Sequence, residues 1–256
     1  MNEPASWAGI GPGDRGTPAA DWARWLAERA PDPEFTVPDG CRRLVVVAPH
    51  PDDEILGVGI TASRFAAAGV DVTVVAVTDG DASHPDSPTL TPQRLAELRV
   101  EESRRACTLL GLPEPVRLGL PDGRVREHRA RLTDALVGAV GDPGHDTLVL
   151  TTWRGDGHPD HEASGRAAAD ACAATGARLV EYPVWTWHWA PPGDPRVPWG
   201  RRRRVVLTDV ELAAKRAAVA EFVTQVAPLS ALPGDEAILP DWIVDRLVTR
   251  EETVFW

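Results

Sequence analysis

One short stretch, residues 42–60, constrains the fold more than any other part of the sequence. It begins with the aliphatic run Leu44–Val47, which is short and apolar on both faces and is therefore typical of a strand buried in a parallel sheet. Pro49 and Pro51 end this run, because proline cannot donate a hydrogen bond to a sheet. The ionisable residues at the strand end are His50, Asp52, Asp53 and Glu54. Stability alone does not explain an imidazole and three carboxylates at the end of a core strand, and this pattern predicts a functional site.

Strand and helix patterns alternate along the sequence that follows. We predict strands at residues 44–48, 72–78, 116–118, 147–152 and 178–184, and helices at residues 55–68, 93–110, 127–140 and 159–175. Regular β-α-β alternation indicates an α/β fold in which helices flank a mostly parallel sheet.

The composition argues against several classes of protein. A formal net charge of −11 disfavours sequence-independent binding to nucleic acid, which depends on Lys and Arg neutralising phosphates. No apolar run approaches the roughly 18 to 20 residues of a membrane span, and the first residues show no secretory signal, so we expect a cytoplasmic protein. The three cysteines, Cys41, Cys107 and Cys172, lack metal-type spacing and fit reduced thiols.

A second polar cluster follows the predicted strand at residues 147–152. It reads G-D-G-H-P-D-H-E and occupies residues 155–162. Because the carboxyl ends of parallel strands open onto the same rim of a sheet, the two polar clusters can meet in space.

Each cluster contains a candidate pair of metal ligands. His50 and Asp53 are three residues apart, as are His158 and His161, and a tight turn or a first helical turn places such residues on one side. A catalytic zinc ion usually takes three protein ligands and keeps one position for water. Two ligands from the first cluster and one from the second would supply that set, with Asp52 and His158 left as base and acid.

The two motifs together resemble the LmbE/PIG-L family of zinc-dependent N-deacetylases. The similarity rests on P-H-P-D-D-E after the first strand and on H-P-D-H at the start of a later helix, and it spans roughly Leu44 to Tyr182. The resemblance implies a Rossmann-like α/β fold and removal of acetyl groups from N-acetylglucosamine-type sugars.

The resemblance also implies a metal-ligand set. His50, Asp53 and His161 would bind Zn²⁺, although Fe²⁺ or another divalent metal suits the same donors. Asp52 would be the general base that activates a zinc-bound water.

Further roles follow from the same resemblance. His158 would stabilise the tetrahedral intermediate or protonate the leaving amine, and Asp160 would orient it. Arg99 and Asp122 fall where the family places sugar-contacting or site-shaping groups. Some related sugar deacetylases carry a tyrosine where this sequence has Asp156, so we expect Asp156 to contact substrate instead.

The aromatic-rich segment that follows Tyr182 is the best candidate for a recognition surface. We predict that Trp185, Trp187 and His188 contact substrate, because indole faces stack well on sugar rings. The alternative is that these tryptophans fill a groove or an oligomer interface. The arginine run at residues 201–204 is predicted to be a solvated loop.

We predict a single catalytic domain over residues 1–256. It comprises an N-terminal extension packed on the core (1–40, with one helix near residues 18–30), the α/β core (41–185) and a C-terminal substrate-recognition segment (186–256).

The sequence therefore predicts a zinc-dependent hydrolase of linear amides that removes an N-acetyl or other N-acyl group from a small amino sugar or its conjugate. One alternative is an amidase that acts on a bulkier thiol, peptide or secondary-metabolite conjugate with the same metal site. A second alternative, from a different class, is a metal-containing sugar-binding module without turnover. Asp52 favours an enzyme, because a binding module needs no carboxylate beside its metal ligands. The oligomeric state is left open.

Overall fold

The computed structural model describes residues 14–141 and 144–256. The strands are β1 (Arg43–Ala48), β2 (Asp71–Thr78), β3 (Val116–Leu120), β4 (Thr147–Thr152), β5 (Arg178–Tyr182), β6 (Arg202–Val206) and β7 (Glu251–Phe255). The helices are α1 (Ala19–Glu28), α2 (Asp53–Ala67), α3 (Pro92–Leu109), α4 (Arg129–Val140), α5 (Pro159–Thr175), α6 (Thr186–Trp189), α7 (Asp209–Val219), α8 (Val223–Val226) and α9 (Asp241–Leu247). Short 3-10 turns precede α4, β4 and β6.

The strands form one seven-stranded sheet in the order β3-β2-β1-β4-β5-β7-β6. The strands from β1 to β5 are mutually parallel, whereas β7 runs antiparallel to both β5 and β6. The expectation of an α/β fold with a mostly parallel sheet is confirmed. The chain leaves β1 towards β2 on one side, while β4 lies on the other side, so a topological switch point separates β1 from β4.

Alternating side chains of the central strands supply two separate cores. Leu44 and Val46 of β1 pack in the core that contains α2, α7 and the C-terminal elements. Val45 and Val47 pack on the opposite face in the core that contains α4 and α5. Burial on both faces explains why β1 is a continuous aliphatic run and why it ends at the functional rim. Within the described residues, none of the helices combines the length and the apolar character needed to cross a membrane.

The sequence predicted a solvated loop at residues 201–204. The structure corrects this, because most of this arginine run lies in β6. Arg202 is buried, with 2% of its surface exposed, and its guanidinium pairs with Asp32 and donates to Thr253 Oγ1. Burial of this cation is tolerated because a carboxylate compensates its charge.

The N-terminal helix α1 is held by an internal cluster of indole rings. Trp22 packs edge-on against Trp187 at 4.9 Å between ring centroids and donates its Nε1 hydrogen to the Trp187 carbonyl oxygen. Trp25 and Trp199 complete the cluster. The expected helix near residues 18–30 is confirmed, while residues 1–13 of the predicted extension lie outside the described residues.

Helix α2 is interrupted at Val58, whose backbone is not helical. Glu252 of β7 accepts hydrogen bonds from the freed amides of Ile60 and Thr61, at 2.9 and 2.7 Å. The Lys215 ammonium, buried beside Glu252 at 2.8 Å, donates to the Leu56 carbonyl oxygen. A buried ion pair thus satisfies the backbone groups that the kink releases, as helix interruptions require.

Candidate metal centre and active site

The candidate metal ligands come from the turn between β1 and α2 and from the first turn of α5. Asp53 stabilises the tight β1–α2 turn, because its Oδ2 accepts the backbone hydrogen of His50 at 2.9 Å. Asp52 occupies the N-cap position of α2, but its side chain makes no capping hydrogen bond. His161 lies on the first turn of α5, which begins at Pro159, a favoured first residue of helices.

Three ligand atoms face one another at the switch point between β1 and β4. His50 Nδ1 lies 3.2 Å from Asp53 Oδ2 and 3.2 Å from His161 Nε2, and Asp53 Oδ2 lies 3.2 Å from His161 Nε2. Ligands about 2.0 to 2.1 Å from a tetrahedral zinc ion are separated by about 3.3 Å, so the triangle has the right size for one ion. The structure thus brings together the three residues predicted as ligands.

The outer nitrogen of each histidine faces a carboxylate. His50 Nε2 lies 3.2 Å from Asp122 Oδ1 and 3.5 Å from Asp160 Oδ2, and His161 Nδ1 lies 2.8 Å from Asp156 Oδ2. In a neutral, metal-bound ring these contacts would hold the proton on the outer nitrogen and leave the lone pairs of His50 Nδ1 and His161 Nε2 directed at the centre, where Asp53 Oδ2 also lies. This donor set fits a divalent cation.

The electrostatics of the ligands also favour a cation. Burial lowers the pKa of His161, but Asp53 and Asp156 outweigh burial and raise that pKa to about 9. The pKa of His50 is likewise raised well above its usual value, against burial, by Asp122, Asp160 and Asp53. The site therefore has a strongly negative potential that a bound metal ion would neutralise.

Asp52 lies beside the ligands and is held by a buried arginine. Arg99 Nη2 donates to Asp52 Oδ2 at 2.9 Å, and Arg99 Nη1 donates to the Gly80 carbonyl oxygen at 3.0 Å. Burial raises the pKa of Asp52 to about 6, although Arg99 opposes the increase. Only 3% of Arg99 is exposed, and its contact with Asp52 fits the site-shaping role that was one of its two expected roles.

His158 lies at the N-cap of α5, close to both histidine ligands. Its ring centroid is 4.8 Å from that of His50 and 4.8 Å from that of His161. Burial and the two neighbouring histidines lower the pKa of His158 to about 2, so the ring is neutral at neutral pH. Its Nδ1 accepts the backbone hydrogen of Asp160 at 3.2 Å, which assigns the ring proton to Nε2.

Asp160 contacts the His158 ring through its backbone amide, which agrees with the expectation that Asp160 orients His158, and its carboxylate has further partners. The carboxylate accepts the backbone hydrogens of Gly123 and Val125 at 2.7 and 3.1 Å, and it also faces His50. The Asp160 carboxylate therefore fixes the loop after β3 against the metal site.

Two other residues predicted to contact substrate lie beside the ligands. Asp122 has a side chain that is 7% exposed, faces His50 and accepts the backbone hydrogen of Ala82 at 2.9 Å. Burial raises the pKa of Asp122, but His50 outweighs burial and lowers that pKa below its usual value. Asp156 is fully buried and bonded to His161, which corrects the expectation that it contacts substrate.

The aromatic segment contacts the surroundings of the metal site through Trp185, whereas Trp187 and His188 pack against other parts of the chain. Trp187 belongs to the indole cluster that holds α1, which favours the groove-filling alternative. His188 pairs with Arg246 at 2.8 Å and with Asp14 at 3.2 Å, and it is thereby tied to the N-terminal segment. Trp185 is 9% exposed, and its backbone amide is bound to Asp156.

The structure also gives Glu54 a contact that the sequence did not predict. Its carboxylate accepts the backbone hydrogen of Asp52 at 3.1 Å and the hydroxyl hydrogen of Ser103 at 2.6 Å. Burial raises the pKa of Glu54 to about 7. Glu54 was identified in the sequence only as the fourth ionisable residue of the first polar cluster. No local pattern indicated that Ser103 would be its partner.

A cavity of about 820 Å³ lies away from this chemistry, between α1, α9, β6 and β7. None of the residues of the metal site lines it. The side chains that converge on the metal site, rather than cavity size, identify the candidate active site.

The fold and the site define a class: α/β proteins with a cluster of His and Asp side chains that could hold a metal ion at the switch point of a mostly parallel sheet. The family profile described as GlcNAc-PI de-N-acetylase (PIG-L) matches residues 45–172. The chain belongs to this family, and the resemblance found in its two motifs is confirmed.

Several characterised or solved proteins are similar to the chain. A 1D-myo-inositol 2-acetamido-2-deoxy-alpha-D-glucopyranoside deacetylase of Streptomyces avermitilis is 32% identical over 77% of this chain and 75% of its own length. A probable N-acetyl-alpha-D-glucosaminyl L-malate deacetylase 2 of Bacillus anthracis is 28% identical over 84% of this chain and 94% of its own length. The crystal structure of a deacetylase from the teicoplanin biosynthesis pathway superposes with a TM-score of 0.66 at 19% identity, over 83% of this chain and 96% of its own, which supports the fold.

Proposed function

We propose that the protein is a zinc-dependent hydrolase that removes the N-acetyl group of a small amino-sugar conjugate. The observation that carries the proposal is the triangle of His50, Asp53 and His161 atoms, each 3.2 Å from the others, with the Asp52 carboxylate beside it. The names of the Streptomyces and Bacillus relatives, both deacetylases of N-acetylglucosamine-type conjugates, support the choice of substrate class.

Zinc, when bound by these three residues, would supply Lewis-acid chemistry by lowering the pKa of a water and polarising the amide carbonyl. Iron(II) suits the same nitrogen and oxygen donors, and the choice of zinc is part of the proposal.

Asp52 would move the proton in both halves of the reaction. A carboxyl whose pKa is about 6 is mostly ionised at pH 7, so it can take a proton from the attacking water. Because this pKa is close to neutrality, the same group can return the proton to the leaving amine. Arg99 fixes the Asp52 carboxylate through Nη2 and limits its rotation.

His158 would donate a hydrogen bond to the developing oxyanion. Its proton lies on Nε2 because Nδ1 accepts from the Asp160 backbone. A pKa of about 2 makes it a poor source of a proton for the amine, so of its two expected roles we favour oxyanion stabilisation.

The test compares Asp52→Asn with the wild type and with Asp86→Asn. Asp86 also follows His-Pro, but it lies in an exposed loop and serves as a matched control. We expect Asp52→Asn to bind one zinc ion per chain and to lose roughly 100-fold or more in rate of acetate release from N-acetylglucosaminides, while Asp86→Asn keeps wild-type values. Normal turnover by Asp52→Asn, or a wild type without a stoichiometric metal ion, would refute the proposal.

A further inference from the structure

Asp156 is fully buried, and both of its carboxylate oxygens are saturated with hydrogen bonds. Oδ2 faces His161 Nδ1 at 2.8 Å and accepts the backbone hydrogen of Trp185 at 2.9 Å. Oδ1 accepts from the backbone of Val184 at 2.9 Å, and from the backbone and hydroxyl of Thr186 at 3.0 and 2.5 Å. One carboxylate therefore joins a metal ligand to the turn that begins α6.

We propose that Asp156 is a positioning residue that holds His161 in the orientation needed to bind the metal ion and ties this orientation to residues 184–186. The inference rests on the metal centre of the proposed function and deepens it. It assigns Asp156 a role in metal affinity instead of the substrate contact expected from the sequence.

The geometry explains why a carboxylate is needed at this position. An imidazole ring can present either nitrogen to a metal ion, and only an acceptor at Nδ1 fixes the proton there and leaves the Nε2 lone pair for the ligand site. Every group that faces the two oxygens of Asp156 is a donor or a ring nitrogen that should carry a proton. An asparagine would place its NH₂ group against at least one of these donors, at a position that is fully buried from solvent.

The α6 segment and the loop that carries Asp156 are locked by a second set of contacts. Trp189 Nε1 donates to the Asp156 carbonyl oxygen at 2.7 Å. Gly157 has a positive φ of 94°, and a Cβ there would lie 2.7 Å from the same indole nitrogen, so the indole packs directly on the loop backbone. Displacement of α6 would therefore also displace the carboxylate that orients His161.

Asp156 could also act only as the anchor of residues 184–186, without affecting the metal. Thr186→Val separates the two roles, because it removes one hydrogen bond to Oδ1 and leaves the contact between Oδ2 and His161. If Asp156 acts only as an anchor, its replacement lowers the melting temperature of the metal-free protein but does not change metal affinity.

The experiment is a competition between zinc and a chromophoric chelator, performed on the full-length wild type, Asp156→Asn and Thr186→Val. We expect zinc affinity about 10- to 100-fold weaker in Asp156→Asn and within about twofold of the wild type in Thr186→Val. Equal affinities of Asp156→Asn and the wild type would overturn the inference and leave the proposed function intact. A wild type that binds no zinc would overturn both.

A second measurement does not depend on whether Asp156→Asn folds. In ¹⁵N-edited NMR spectra of the zinc-loaded wild type, His161 should carry its proton on Nδ1 with the downfield shift of a hydrogen bond to a carboxylate. A proton on Nε2, or an Nδ1 without a proton, would overturn the inference.

Discussion

Gly57 is a residue that close packing requires, in the helix that begins at the candidate metal ligand Asp53. It lies in α2 with ordinary helical geometry, but a Cβ at this position would lie 2.3 Å from Cδ2 of the Tyr182 ring. Tyr182 cannot move aside easily, because it is fully buried and donates its hydroxyl hydrogen to the Val47 carbonyl oxygen at 2.8 Å. The Gly57-Val58-Gly59 sequence thus serves close packing.

We predict opposite effects of alanine at two helical glycines. Gly57→Ala should destabilise the protein by about 2 kcal/mol, because it overpacks the contact with Tyr182. Gly138→Ala, at an exposed position in the last turn of α4 where a Cβ meets no atom within 4 Å, should stabilise it by up to about 1 kcal/mol through helix propensity. Urea denaturation measures both, and equal effects would show that the Tyr182 contact does not restrict Gly57.

The sequence predicted single residues well where their chemistry is carried by a local motif. His50, Asp53 and His161 were chosen from the spacing of two short motifs and from family resemblance, and the structure brings their ligand atoms together. The partners of Arg99 and Asp156 were not predicted, because they are set by tertiary structure. The contact between Arg99 and Asp52 joins residues 47 positions apart, and no local pattern records it.

Helices α2 and α7 are joined by an ion pair that also caps α7. Arg64 of α2 donates from Nε and Nη2 to the carboxylate of Glu211 at 2.7 and 2.8 Å, and Glu211 completes a capping box with Thr208. The hydrogen bonds from Arg64 lower the pKa of Glu211 to about 2.

This pair predicts a pH-dependent contribution to stability. The pKa of Glu211 is depressed on folding, so its contribution is complete above the unfolded value of about 4.5 and is lost as the pH falls towards about 2. Glu211→Gln preserves the capping box and should lower the free energy of unfolding by about 1 kcal/mol at pH 7. This is less than the full pKa shift would correspond to, because Arg64 is 38% exposed and solvent screens the pair. Glu127→Gln, which breaks an exposed pair with Arg124, should have no measurable effect. Denaturation curves at pH 7 and pH 3.5 test this. If the difference in free energy of unfolding between the wild type and Glu211→Gln did not shrink at pH 3.5, the prediction would be contradicted.

At the scale of elements, the parallel part of the sheet could be predicted and its antiparallel edge could not. β1, β2, β4 and β5 are aliphatic runs between helical patterns, and all were found within a few residues of their predicted bounds. β6 and β7 were missed because their sequences, R-R-R-V-V and E-E-T-V-F, contain charges that normally indicate exposure. Those charges are neutralised in pairs such as Arg202 with Asp32 and Lys215 with Glu252.

The acidic interior of the site affects the whole molecule. The buried carboxylates around the three histidine rings are Asp52, Asp53, Glu54, Asp122, Asp156 and Asp160. Like charges at this density oppose folding unless protons or a cation compensate them.

We therefore predict that metal removal lowers the stability of the entire chain. At free zinc about 1,000-fold above the dissociation constant, linkage to a folded-state site adds about 4 kcal/mol, which corresponds to roughly 10 °C in melting temperature for a chain of this length. Calorimetry of zinc-loaded and chelator-treated protein measures the difference. Asp86→Asn should show the same difference as the wild type, and a melting temperature that does not respond to chelation would contradict the proposed metal centre.

The contact between Glu252 and the kink of α2 also bears on how the protein is made. His50 and Asp53 leave the ribosome about two hundred residues before the carboxylate that satisfies the Ile60 and Thr61 amides. Until residue 252 emerges, the backbone amides of Ile60 and Thr61 in α2 lack this acceptor, and the two halves of the helix are free to fray. Maturation of the metal centre is thus expected to come late in folding, and a nascent chain should capture metal only after β7 has docked.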